Sequence, residues 1–177
     1  GRRAGLDVPF VRPAELARDD TPMLPVIEHA LDVLEQSGWV AKIVVLLQPT
    51  SPLRRAEHIR SAVQQLHDTS ADSVVTVVEL PRHFSPDYVM RLDDGRLVPF
   101  LAGGGRVIRR QDARPAFVRD GTVYAFWSRT VQETHSMYGR DCRPLVLSAQ
   151  DSMTIDTPDD WIEAERRLRA AGRAANE

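Results

Sequence analysis

The sequence predicts an α/β domain built on a mostly parallel sheet and carrying a hairpin excursion. Three observations predict it. Two apolar runs rich in β-branched residues, Lys42–Leu47 (KIVVLL) and Ser73–Val78 (SVVTVV), read as strands buried on both faces. Between them Ile59, Ala62, Val63 and Leu66 recur at helical spacing over Ala56–His67. Strand, helix and strand in that order make a βαβ unit.

The other elements follow in order. Ile27, Ala30, Leu31 and Leu34 fall at i, i+3, i+4 and i+7, which predicts a helix over Pro25–Gln36. Pro25 suits its first turn, where a missing N–H costs nothing, and Ser37-Gly38 stops it. Tyr88–Phe100 reads as a hairpin turning at Asp93-Asp94-Gly95. An Arg- and Gly-rich loop spans Gly103–Arg114. Gly121–Trp127 (GTVYAFW) and Pro144–Leu147 (PLVL) read as strands. A last helix starts at Thr157, a good N-cap, with Pro158 at N1 and Asp159 and Asp160 at the positive end of the dipole. Trp161, Ala164 and Leu168 are expected to face the core.

Composition excludes several classes. A chain of 177 residues fits a single domain, 1–177, with a sizeable core. The net charge of -2 carries no nucleic-acid or polybasic membrane signal. No apolar run is long enough to span a bilayer, and the N-terminus lacks the apolar stretch of a secretory signal. Cys142 is the sole cysteine, so no internal disulfide forms and a cytoplasmic protein is expected. The five histidines have no i, i+4 pair, and Cys142 has no evident base beside it. Gly103-Gly104-Gly105 is not followed by the Lys-Ser or Lys-Thr of a phosphate loop.

In open α/β sheets ligands bind beyond the carboxyl ends of strands. QPTSPLRR, Gln48–Arg55, leaves such an end. Gln48 offers one acceptor and two donors, Thr50 and Ser51 add hydroxyls, and Pro49 and Pro52 stiffen the loop. These groups serve equally as ligand contacts or as caps for the local backbone.

QPTSPLRR after VVLL resembles the central motif of the acylneuraminate cytidylyltransferases, the CMP-sialic acid synthetases. Four further stretches agree in the family's order: RPAEL at Arg12–Leu16 with HAL at His29–Leu31 after it, RRQD at Arg109–Asp112, RDGTVY at Arg119–Tyr124, and QDSMTIDTPDDW at Gln150–Trp161. The resemblance covers Val8 to Arg169. It implies a three-layer, Rossmann-like nucleotidyltransferase fold. The implied reaction joins CTP to a nine-carbon 2-keto acid sugar and releases pyrophosphate with Mg²⁺. It also implies a homodimer, with residues 82–142 holding the dimerisation excursion.

Site roles are carried over the same way. Gln48 matches the glutamine that hydrogen-bonds the sugar acid, with Ser51 in the same motif. Arg12 matches an arginine on the nucleotide side. Arg110 matches an arginine near the sugar, where a guanidinium suits a carboxylate; Arg109 is its rival, and a salt bridge to Asp112 is the alternative for either. Tyr124 lies on the strand resembling NGAIY, where it serves the sugar or the core. Met137 and Tyr138 fall where the family places residues reaching the partner subunit's sugar pocket. Asp156 matches the second aspartate of the family's D-I-D metal motif.

The sequence departs from the family in three places. Thr154 replaces the first aspartate of D-I-D and removes a charge; Asp151 is a nearby carboxylate that could compensate, though nothing in the sequence shows that it does. Asp120 replaces the asparagine of NGAIY, which is expected to add charge near an acidic substrate. The chain opens GRRAGLDVPF without a methionine, and only eleven residues precede Arg12. The family's ARxGSKxxxxKN triphosphate loop belongs well upstream of that arginine. The expectation is therefore an N-terminally truncated chain with little activity as it stands. The alternatives are a non-catalytic sugar-acid-binding or dimerising remnant, and a relative using GTP or a pseudaminic or legionaminic acid.

Overall fold

The structure, a computed structural model, describes residues 1–104, 109–170 and 172. Its helices are α1 Met23–Gln36, α2 Ala56–Thr69, α3 Ser128–Thr134 and α4 Pro158–Ala170. Its strands are β1 Ile43–Leu46, β2 Ser73–Glu79, β3 Met90–Asp93, β4 Arg96–Pro99, β5 Phe117–Trp127 and β6 Cys142–Leu147. Four strands form one sheet in the order β1-β5-β2-β6, and β3 and β4 form a separate hairpin. The larger sheet contains parallel strands, as the sequence predicts. Its β1–β5 pair is antiparallel, with Ile43 opposite Trp127 and Leu46 opposite Tyr124.

Two expectations need refinement. The strands of the β1-α2-β2 unit are not neighbours, because β5 lies between them. β1 is half-buried along its length rather than buried on both faces, because it is an end strand of the sheet. No helix among the described residues is long and apolar enough to cross a membrane.

The chain divides into two compact units. Unit 1 comprises Gly1–Leu46, Ile59–Val74 and Tyr124–Arg143. Ile27 and Leu31 are the buried face of α1, as the spacing predicts. The helix ends in a Schellman motif: Gly38 at φ +81 donates to the Glu35 carbonyl at 2.9 Å and Trp39 donates to that of Leu34 at 2.9 Å. Leu66, Ala62, Ala125, Phe126 and Val131 are almost fully enclosed. Each large side chain among them contributes about 1.5–3 kcal/mol of hydrophobic stabilisation. Asp72 organises the end of this unit. Its carboxylate accepts from the backbone N–H groups of Arg140 at 2.7 Å and Asp141 at 2.9 Å, which holds its pKa below the ordinary carboxylate value.

Unit 2 comprises Leu47–His58, Val75–Val123 and Pro144–Glu177. Its hairpin turns at Asp94 (φ 47) and Gly95 (φ 75), two left-handed residues that make a type I′ turn. Asp87 is buried and receives a bidentate bond from Arg114 with a shortest contact of 2.5 Å, plus the Arg114 backbone N–H at 2.9 Å. These bonds hold its carboxyl at about 2. At the start of α4, Thr157 Oγ1 accepts from the Asp160 N–H, while the Asp160 carboxylate accepts from the Thr157 N–H at 2.8 Å. This is a capping box with aspartate at N3. Ala164 of α4 is buried and Leu168 half-buried, but Trp161 on its first turn is 62% exposed. The helix turns its apolar face inward only after that turn.

Candidate functional site

The loop leaving β1 is built by short-range chemistry. Pro49 and Pro52 fix two of its φ angles, and the Ser51 N–H donates to the Gln48 carbonyl at 3.3 Å. Ser51 and Leu53 are buried, which pins the loop from beneath. The Gln48 side chain is half-buried, and its carboxamide makes no hydrogen bond among the described residues. A strand-end cap would spend that amide on backbone. Here it remains available for a ligand.

The floor of the loop is the stretch Asp120-Gly121-Thr122 of β5. Gly121 has φ +76, a left-handed kink inside the strand. A Cβ there would lie 3.4 Å from Ser51 Oγ and 4.0 Å from Gln48 Cγ. Four side chains engage the main chain around the kink. Ser51 Oγ donates to the Asp120 carbonyl at 3.5 Å, and Thr154 Oγ1 donates to the same oxygen at 3.3 Å. Arg54 Nε donates to the Thr122 carbonyl at 2.7 Å, and its Nη2 donates to the Gln48 carbonyl. Thr76 Oγ1 donates to the Val123 carbonyl and accepts from the Val123 N–H at 2.8 Å. The Ile155 N–H adds a bond to the Thr50 carbonyl at 2.9 Å. Segments far apart in sequence are thereby locked into one cradle beneath Gln48.

Asp120 corrects an expectation. Its carboxylate does not add charge to an open site. It is buried and accepts from the Thr122 N–H at 3.1 Å and the Thr122 hydroxyl at 2.7 Å. Burial lowers the pKa of Arg54, while the charge of Asp120 opposes that shift.

The remaining predicted residues are distributed as follows. Ser51 is buried with its hydroxyl directed at backbone. Arg110 begins a short 3-10 turn, Arg110–Asp112, but its side chain lies outside the described residues, as does Gly105 of the glycine run. Its rival Arg109 is committed to Asp112 at 2.7 Å. In unit 1, Tyr124 is buried and meets Tyr138 edge-on with ring centroids 6.4 Å apart. Arg12 is exposed in the same unit.

Asp156 is exposed just before the cap of α4. Thr154 is spent on the Asp120 carbonyl. Asp151 does not replace a lost carboxylate there, because it pairs with Arg55 at 2.9 Å and accepts from Ser148 at 3.1 Å. Among the described residues no three His, Cys, Asp or Glu side chains are grouped to hold a cation. Magnesium that arrives on substrate phosphates needs only one or two protein carboxylates. Asp156 fits that lesser requirement. A concavity of about 660 Å³ in unit 2 is lined by Leu53, Ala149–Asp151, Arg166, Arg167 and Ala170, and of the residues singled out in the sequence it includes Asp151 alone. Arg166 and Arg167 both pair with Glu163 there.

The residues that sequence reasoning missed are Arg54 and Thr154 as braces. The one local signal is an arginine that closely follows two prolines, and it does not name the partner.

No family model matches the chain. It is similar to CMP-N,N'-diacetyllegionaminic acid synthase of Legionella pneumophila, with 33% identity over 167 residues, covering 93% of this chain and 70% of that protein. It is similar to N-acylneuraminate cytidylyltransferase of Streptococcus agalactiae serotype V at 27% identity, covering 89% of this chain and 37% of the relative. The enzyme of the same name from Escherichia coli O18:K1:H7 is 28% identical over 153 residues, with 86% and 35% covered. The chain thus spans little more than a third of the latter two relatives. Among solved structures, CMP:2-keto-3-deoxy-manno-octonic acid synthetase complexed with CTP aligns with a TM-score of 0.54 at 17% identity, over 88% of this chain and 71% of that one. That likeness is one of fold.

Proposed function

The chain belongs to the acylneuraminate cytidylyltransferase family, and on that premise we propose that the protein carrying it converts CTP and a nine-carbon 2-keto acid sugar into the CMP-sugar and pyrophosphate. The observation that carries this reading is the unspent Gln48 carboxamide, held over a braced cradle at the end of β1. Binding and orienting the sugar is the work of this chain. Gln48 hydrogen-bonds the sugar acid, and Arg110 meets its carboxylate. The anomeric hydroxyl then attacks the α-phosphorus of CTP in line: its O–P bond forms, the bond to pyrophosphate breaks, and the hydroxyl proton is lost. Catalysis in such a transfer rests on positioning and charge neutralisation. Arg12 serves the nucleotide side. Magnesium neutralises phosphate charge when bound, and Asp156 is the residue here that would hold it.

The names of the relatives support CMP as the activating group, and the Legionella relative supports including a legionaminic acid among candidate sugars. The test is an assay of the full protein with CTP and with GTP against N-acetylneuraminic, legionaminic and pseudaminic acids. CMP-sugar and pyrophosphate in equal amounts from CTP are expected. Absence of product with every pair would overturn the reading.

We also propose a homodimer, formed through the β3–β4 hairpin. β3 is exposed throughout and β4 everywhere but Val98, with Leu92 at 73% and Leu97 at 70% opposite each other across the pair. Large exposed apolar groups on one hairpin mark an interaction surface.

A further inference from the structure

We infer that Arg54 is a positioning residue for the sugar step, acting through Gln48 by clamping its main chain to β5. This rests on the reading of Gln48 given above. Gln48 lies where β1 has ended, and among the described residues its carboxamide makes no hydrogen bond that would hold it. What orients the side chain is therefore its backbone. The Arg54 guanidinium fixes that backbone with one arm and Thr122, 68 residues from Arg54, with another. Gly121, between Asp120 and Thr122, supplies the left-handed turn (φ +76) that puts the Thr122 carbonyl within reach of Arg54.

The chemistry requires arginine. A planar guanidinium has donors in a fixed fork and can reach two carbonyl oxygens at once, whereas an ammonium is a point donor on a flexible stem. Among the described residues Arg54 forms no ion pair, so its donors go to main chain rather than to a carboxylate. The charge is held part-buried by those carbonyls and by the nearby Asp120. A residue merely filling space would not carry a cation there, given the cost of burying one.

The test uses the full protein with Arg54→Met, Arg54→Lys, Gln48→Ala and the double variant Arg54→Met/Gln48→Ala. Arg54→Met is expected to raise the sugar KM about tenfold while the CTP KM changes less than about twofold. In the Gln48→Ala background the same change is expected to move the sugar KM less than about twofold, because the group being positioned is gone. Arg54→Lys is expected to lie between, and it serves alone if Arg54→Met does not fold. The Gln48 side-chain amide signal in a ¹⁵N spectrum, assigned by its loss in Gln48→Ala, is expected to broaden or shift in the Arg54 variants. An unmoved signal, or an equal KM rise in both backgrounds, would overturn the inference. A moved signal with a sugar KM indifferent to Gln48→Ala would leave the clamp standing and remove its role in sugar binding, so the two failures are distinguishable.

Discussion

Asp120 turns its carboxylate back onto Thr122, with oxygens 3.1 Å from the Thr122 N–H and 2.7 Å from its hydroxyl. The charge at this position is part of the scaffold under the loop. Deleting it leaves a buried N–H and hydroxyl without partners. Asp120→Ala is expected to cost about 2–3 kcal/mol of stability, and Asp120→Asn clearly less, since an amide oxygen still accepts. Urea unfolding of the two variants measures the difference, and equal losses would contradict this role.

A second expectation concerns Gly139. Its φ is +65, and a Cβ there would lie 2.4 Å from that of Asp72. Asp72 caps the two N–H groups that follow, so the aspartate has no free direction in which to retreat. Gly139→Ala is expected to destabilise by about 2–4 kcal/mol through strain and clash together. A change of less than about 0.5 kcal/mol, the size ordinary for surface positions, would contradict the geometry.

Acid is expected to act in two steps. His58 is buried beside Arg55, and burial first and the arginine second lower its pKa. The unfolded chain then binds the proton more readily, so this contribution is present above about pH 6.5 and is lost as pH falls through the lowered folded value. Asp87 is held at about 2 by Arg114. Its contribution is complete above the unfolded value of about 3.9 and is lost as pH falls from there toward the folded value. Stability measured against pH should therefore decline in both windows, and Asp87→Asn should flatten the lower one. An unchanged lower limb in that variant would show that the Arg114 pair does not contribute.

The hairpin supplies a test of assembly. Leu97→Lys places a charge opposite Leu92 on an exposed pair, where it does not disturb a core. Sedimentation of the full protein is expected to give a dimer at micromolar concentration, and this variant a dimer weakened by about tenfold or more. A monomeric parent would contradict the proposed dimer.

Much of the fold was legible because its signals are local. The cap at Thr157 and Pro158, the turn at Asp94-Gly95 and the period of Ile27 and Leu31 each depend on residues within a turn or two. The placement of Gln48 at the end of a strand was legible for the same reason. Insertion of β5 between β1 and β2 was not, since pairing of β1 with residues some eighty positions away leaves no mark on either segment. Gly121 read as the start of a strand because a left-handed kink inside one looks the same in sequence as a turn before one. The Arg54 clamp joins Gln48 to Thr122, and the inward turn of Asp120 depends on its burial. Both need the assembled unit.

The most direct measurement of the central claim is a kinetic comparison of the full protein with its Gln48→Ala variant, varying sugar acid and CTP separately. The unspent carboxamide over its cradle is expected to make the sugar KM rise about tenfold or more while the CTP KM stays within about twofold, the size of one lost hydrogen bond to a charged partner. Unchanged KM values for both substrates, or an equal rise in both, would contradict the assignment of this loop to the sugar.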